Sequence, residues 1–61
     1  MANIVNVEKL NTIRDHYPNT WEWMRHKANW EHMCMGAVLN NYEKYIDELM
    51  DKEDEAQNEN Y

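Results

Sequence analysis

The chain has one glycine, one proline, one cysteine and no phenylalanine among its 61 residues. Because glycine and proline are so scarce, the sequence offers few turns, and we expect an all-α protein. Cys34 has no second cysteine with which to form an intramolecular disulfide, and no two pairs of zinc ligands are present. Chains of roughly this length bury only about 60% of their unfolded surface. We therefore expect self-association or a partner to contribute to stability.

Long apolar runs are also missing. Residues 1–20 contain no stretch that would serve as a signal peptide, and no segment approaches the length of a membrane span. These absences predict a cytoplasmic protein that makes no contact with a membrane.

Positive charge is sparse and is not clustered. The formal net charge is −6, yet residues 1–42 contain four acids and four bases. Residues 43–61 contain eight acids against Lys44 and Lys52, so the whole excess lies in the last third of the chain. Direct binding of nucleic acid depends on clustered lysine and arginine. We therefore do not expect this protein to bind nucleic acid directly.

Two helices are predicted, joined at the sequence YPNT. Asn6 can cap a first helix over about 6–17, and Pro18 should end it, because the residue before a proline is pushed out of the α region. Asn19 is then predicted to cap the second helix, with Glu22 three residues later as in a capping box. The short connection makes the two helices antiparallel neighbours.

The second helix, predicted over about 20–54, carries an apolar stripe with the spacing of a heptad seam. The stripe has one gap, at Glu31. We predict that it forms a self-association surface, whose members are Trp21, Met24, Met35, Val38, Tyr42, Tyr45 and Leu49.

A second, shorter stripe lies on the other side of this helix and includes Trp23, Trp30 and Cys34. We expect the first helix to fold back over it and to bury Cys34 beside Trp30. Because a helix that is apolar on two sides belongs in an interior, these stripes predict a helical hairpin in a homodimeric bundle.

An alternative is a monomeric three-helix bundle. Gly36 could interrupt the long helix, or Asn40–Asn41 could cap a third one. In either case residues 1–52 form a single helical domain. Residues 55–61, a polar and charge-dense segment, are expected to be a disordered acidic tail.

His26, His32 and Cys34 are the residues that suggest a metal site or a nucleophile. They do not provide four converging ligands on a helix, and no orienting group or oxyanion hole accompanies the thiol. We therefore expect no metal, no cofactor and no enzymatic activity. Glu31 either pairs with Lys27 one turn earlier or forms a polar layer with His32 that fixes the register.

The tryptophans beside Arg25 and Lys27 could form a stacking platform for single-stranded nucleic acid. Aromatic residues at helical spacing more often belong to a core or an interface, and the acidic balance also argues against the platform.

The acidic run is the main functional candidate. Carboxylates on a rigid helix can imitate phosphate charge and bind a protein that has a basic surface. We predict partner binding by residues that can be neutralised without loss of the fold, namely Asp47, Glu48, Asp51, Glu53, Asp54 and Glu55.

The size and charge of the chain are typical of phage-encoded inhibitors or modulators of host enzymes that handle nucleic acid. The alternative is a structural oligomerisation module or subunit without an inhibitory role, in which the acidic end only maintains solubility.

Overall fold

A computed structural model of the chain describes residues 6–58, and these form four helices: α1 (Val7–His16), α2 (Pro18–Glu31), α3 (Met35–Asn41) and α4 (Glu43–Asn58). The predicted all-α class is confirmed. No described helix has the length and apolar character that crossing a membrane requires.

The start of α1 and the α1–α2 junction follow from local sequence. The side chain of Asn6 accepts a hydrogen bond of 3.0 Å from the backbone N–H of Lys9, which caps α1 as predicted. Tyr17 leaves the helical region (φ −131°, ψ 68°), as a residue before proline must, and Pro18 opens α2. A single residue thus separates the first two helices.

The long helix predicted over about 20–54 is not found. Instead α2 ends after Glu31, where His32 adopts the left-handed conformation (φ 56°, ψ 49°) and Cys34 is extended. The backbone N–H groups of His32 and Met33 both donate to the carbonyl of Ala28, a common way to end a helix. Histidine is among the residues that visit this conformation more often than most, so the chain stops α2 without a glycine.

The second interruption lies at Tyr42 (φ −124°, ψ 27°). It is a bend rather than a loop, because Tyr42 N–H donates to Val38 and Ile46 N–H donates to Tyr42, both at 2.9 Å. The break considered at Asn40–Asn41 lies next to this bend, whereas Gly36 is buried inside α3. Four helices therefore replace both the predicted hairpin and the three-helix alternative.

The core takes its fully buried apolar side chains from all four helices. None of them is more than 1% exposed, and they are Ile13, Met24, Val38, Leu39 and Ile46. The two breaks allow one chain to fold its apolar side chains around a common centre. The continuous helix with two apolar stripes, from which a second copy was inferred, is therefore absent from residues 6–58, and the homodimer stays a prediction.

The end of α4 also differs from expectation. The helix runs to Asn58, so residues 55–58 of the predicted disordered tail are helical. Residues 59–61 of that prediction, and residues 1–5 of the predicted domain, lie outside the described part of the chain.

Candidate protein-binding surface

Glu53, on α4, accepts three hydrogen bonds from residues in the first turn of α2. Its Oε1 accepts hydrogen bonds from the backbone N–H of Thr20 at 3.0 Å and from the Thr20 hydroxyl at 2.9 Å. Its Oε2 accepts a third from the backbone N–H of Asn19 at 3.0 Å. Since the first N–H groups of a helix have no partner within it, and its N-terminus favours negative charge, this carboxylate caps α2 from a distant element.

Glu53 is 7% exposed and Thr20 is 2% exposed. The predictions that Asn19 caps α2 and that Glu53 belongs to an exposed acidic surface are therefore wrong. The N-cap residue is Tyr17, without a side-chain bond, and the cap is supplied by α4. Neutralising Glu53 together with its neighbours would disturb the fold rather than leave it intact.

Two more carboxylates of α4 are paired with α1. Lys9 Nζ lies 2.7 Å from Asp47 Oδ1 and 3.2 Å from Glu43 Oε2. The hydrogen bond to Asp47 is the main reason that the pKa of Lys9 is raised above 10.5, while burial opposes the shift. These ion pairs connect the first helix to the last.

Asp54 contacts the α1–α2 junction. It accepts a 3.0 Å hydrogen bond from the Tyr17 hydroxyl, and this bond raises the pKa of Tyr17 above 10.0. Asp54 remains exposed to solvent.

Glu48, Asp51 and Glu55 form the part of the predicted acidic set that points away from the protein. All three are exposed, and within residues 6–58 none of them takes part in an ion pair. Their spacing of three and then four residues places them on one face of α4. We call these three residues the acidic face.

An apolar groove lies between α2 and α4. It encloses about 390 Å³, and Trp23, Leu49 and Ala56 form its apolar walls. Asn19, Thr20 and Glu53 also line it, and the exposed Lys52 lies at its rim. We call this the α2–α4 groove.

Trp23 is held in place by aromatic contacts. Its ring centroid lies 5.8 Å from that of Tyr42, edge to face, and 5.0 Å from that of Tyr45. Such arrangements are favoured by the quadrupoles of the rings. The wall of the groove that α2 contributes is therefore well fixed.

Glu31 and Lys27 form a polar network with Tyr42. Lys27 Nζ lies 3.1 Å from Glu31 Oε2, which confirms the predicted pair, and Tyr42 donates its hydroxyl to both carboxylate oxygens at 2.8 and 2.7 Å. The bond from Tyr42, followed by that from Lys27, lowers the pKa of Glu31 below 4.5. The same contacts with Glu31 raise the pKa of Tyr42 above 10.0 and that of Lys27 above 10.5. The network joins α2 to the α3–α4 bend.

A second groove, of about 540 Å³ and wide open, lies where α2 gives way to α3. Cys34 and His32 line it and are exposed, so the prediction that Cys34 is buried beside Trp30 is wrong. Trp30 is 81% exposed and is not covered by α1. No group of three or more histidine, cysteine or carboxylate side chains within residues 6–58 is placed to hold a metal ion.

The predicted self-association residues do not share one surface. Met24 and Val38 are fully buried in the core of this chain, and Tyr45 is 47% exposed. The other four are half-buried, and they are Trp21, Met35, Tyr42 and Leu49.

The Glu53 cap is the feature that sequence reasoning missed. A signal for it was present, because Glu53 follows Ile46 by seven residues and Met50 by three, on the apolar side of α4. A carboxylate at such a position is rarely buried unless it has a partner. Its position pointed to a partner, although not to which one.

The comparisons with known proteins found no relative: no protein-family model matches the chain, and neither a curated protein nor a solved structure matches it.

Proposed function

We propose that this chain is a small acidic helical protein that binds another protein, without catalysis, by presenting the carboxylates of α4 to a basic surface. The observation that supports this is the segregation of charge. The range of α4 contains seven carboxylates against two lysines, a formal −5, and Glu48, Asp51 and Glu55 point outward. α1 and α2 each contain as many lysine and arginine residues as carboxylates.

A basic surface that normally binds phosphates is the partner that this charge fits best. Carboxylates on a rigid helix can occupy such a site in place of a nucleic acid. The protein would then act as an inhibitor or modulator of a nucleic-acid-handling enzyme, in the manner of small acidic phage proteins that act in the host cytoplasm.

The experiment uses two variants with the same change of charge. One neutralises the acidic face (Glu48→Gln, Asp51→Asn, Glu55→Gln), and it spares Glu53 so that α2 stays capped. The control neutralises three exposed carboxylates elsewhere, and these are Glu8→Gln, Asp15→Asn and Glu22→Gln. Tagged wild-type protein and both variants are used to capture a partner from a bacterial lysate, and the affinity of each for the purified partner is then measured.

We expect the acidic-face variant to bind at least tenfold more weakly, a change of about 1.4 kcal/mol, while the control stays near wild type. Single exposed carboxylates contribute only about 0.2–1 kcal/mol, so the three must act together. Binding should also weaken between about 50 and about 300 mM salt, where the Debye length shortens about 2.4-fold. Duplex DNA should compete for the partner. Equal binding by both variants, or indifference to salt and DNA, would contradict the proposal.

The second candidate is an oligomerisation module that forms a homodimer. The exposure of Trp30 favours it, because aromatic residues including tryptophan are enriched at protein–protein interfaces. Light scattering at micromolar concentration should then give twice the chain mass, and Trp30→Ser should give one chain mass with unchanged helicity. A wild-type mass of one chain excludes this candidate and leaves the first.

A further inference from the structure

The α2–α4 groove offers a ligand mainly apolar contact. Trp23, Leu49 and Ala56 are its apolar walls, and two of its polar lining residues, Glu53 and Thr20, are already bonded to each other. A polar group entering the groove would lose water without gaining a partner, which is unfavourable. An apolar side chain has no hydrogen bonds with water to lose. The volume of about 390 Å³ leaves room for one or two large ones, because a cavity of about 150 Å³ already holds benzene.

The length of the groove suggests what carries those side chains. Leu49 and Ala56 are seven residues apart, two turns or about 10.5 Å along α4. The apolar side chains of an amphipathic helix recur at this same distance, at positions i and i+7, with others at i+3 and i+4 between them. Helices commonly dock into apolar grooves through such anchors.

The charge around the groove determines the sign of the charge that such a helix should carry. Lys52 at the rim has Glu48 one turn before it and Glu55 one turn after it. Two carboxylates against one lysine give the rim a net negative charge. A helix with lysine or arginine beside its apolar stripe would complement this rim, and an acidic one would be repelled.

We propose that the α2–α4 groove receives one amphipathic basic helix of another protein, with apolar side chains against Trp23, Leu49 and Ala56 and basic side chains against Glu48 and Glu55. This inference rests on the proposed function and deepens it, since it specifies that the partner contributes an amphipathic helix with basic side chains beside an apolar stripe.

Two synthetic peptides of equal length and charge test the inference with the intact protein. One is a helix of lysine and leucine, with leucine at i, i+3, i+4 and i+7, and the other has alanine at those positions. Calorimetric titration should show that the leucine peptide binds about tenfold tighter or more, which is a difference of about 1.4 kcal/mol. Equal affinities would exclude the groove as the binding site and overturn this inference, while binding of a basic partner through charge alone would still agree with them. If neither peptide binds, the proposed function fails as well.

Variants locate the contact. Ala56 is exposed, so Ala56→Gln can place a polar side chain in the groove without affecting the core, and circular dichroism checks the fold. It should remove most of the preference for leucine. An unchanged preference would show that the peptide binds elsewhere, and this would overturn the proposal.

A matched pair of lysines gives a second readout. Lys52 lines the groove, whereas Lys44 lies eight residues earlier on α4, about 12 Å along the axis. Lys52→Gln should tighten binding of the leucine peptide more than Lys44→Gln does, because it removes a repelling charge from the contact itself. Equal effects would contradict binding in the groove.

Discussion

Replacing Glu53 by alanine should destabilise this protein more than any other single carboxylate replacement on α4. The substitution removes the acceptor of three hydrogen bonds at the start of α2. Asn19 is exposed, so water can replace its bond, but Thr20 is 2% exposed and its two donors would be left without a partner. A buried unsatisfied group costs about 1–3 kcal/mol. Two such donors predict a loss of about 3 kcal/mol.

A loss of that size is large for a short chain. Native proteins are stable by about 0.05–0.15 kcal/mol per residue, which gives about 3–9 kcal/mol for this length. With a urea dependence of about 1 kcal/mol per molar, the unfolding midpoint should fall by about 3 M. Circular dichroism during urea titration measures this shift.

Glu53→Gln keeps the measurement informative if the alanine variant does not fold. Glutamine retains one acceptor oxygen and loses the charge, so we expect about half of the loss, roughly 1.5 kcal/mol. Glu55→Ala is the matched control, since Glu55 is exposed on the same helix. It should stay within about 0.5 kcal/mol of wild type. If Glu53→Ala and Glu55→Ala shift the midpoint equally, the carboxylate does not hold α2 as described.

Three further predictions concern the rest of the fold. Because its pKa is lowered by folding, Glu31 stabilises the folded state above pH 4.5, and this stabilisation is lost as the pH falls through the lowered pKa. Because its pKa is raised by folding, Tyr42 stabilises the folded state below pH 10.0, and this stabilisation is lost as the pH rises through the raised pKa. Tyr42→Phe should therefore destabilise at neutral pH, and its difference from wild type should shrink as the pH falls below 4.5. A difference in urea midpoint that stays constant with pH would contradict this. Cys34 should react with a thiol reagent in the folded protein as fast as after unfolding, and slow labelling would show that it is buried. Trp30→Ala should change stability by under about 0.5 kcal/mol, whereas Val38→Ala should cost about 2 kcal/mol. Comparable losses would place Trp30 in the core.

Local sequence signals predicted the beginning of the fold well. Asn6 and Pro18 act on residues next to them, so the cap of α1 and the junction at Tyr17 could be read from the chain directly. The break at His32 could not be predicted in this way. The residue with left-handed backbone at a helix end is usually glycine, so the sequence indicated a break at Gly36 rather than at His32.

The acidic run shows why the site was only partly predictable. Six carboxylates in sequence look alike, yet folding gives them different environments. Glu53 is buried against Thr20, Asp47 pairs with Lys9, and Glu48 remains free of ion pairs within the described residues. Each of these assignments depends on a partner more than thirty residues away or on its absence. Composition predicts the total charge but not which charges remain available.

The Glu53 cap also couples the opening of the beginning of α2 to that of α4. Backbone amides in the first turn of a helix usually exchange with solvent readily, because no carbonyl of that helix holds them. The amides of Asn19 and Thr20 are held instead by a side chain 34 and 33 residues later. Because Thr20 is buried, we expect exchange of its amide to require α4 to separate from α2, so that the beginning of α2 and the second half of α4 open as one cooperative unit. In this protein, hydrogen exchange at Thr20 reports on the integrity of the last helix.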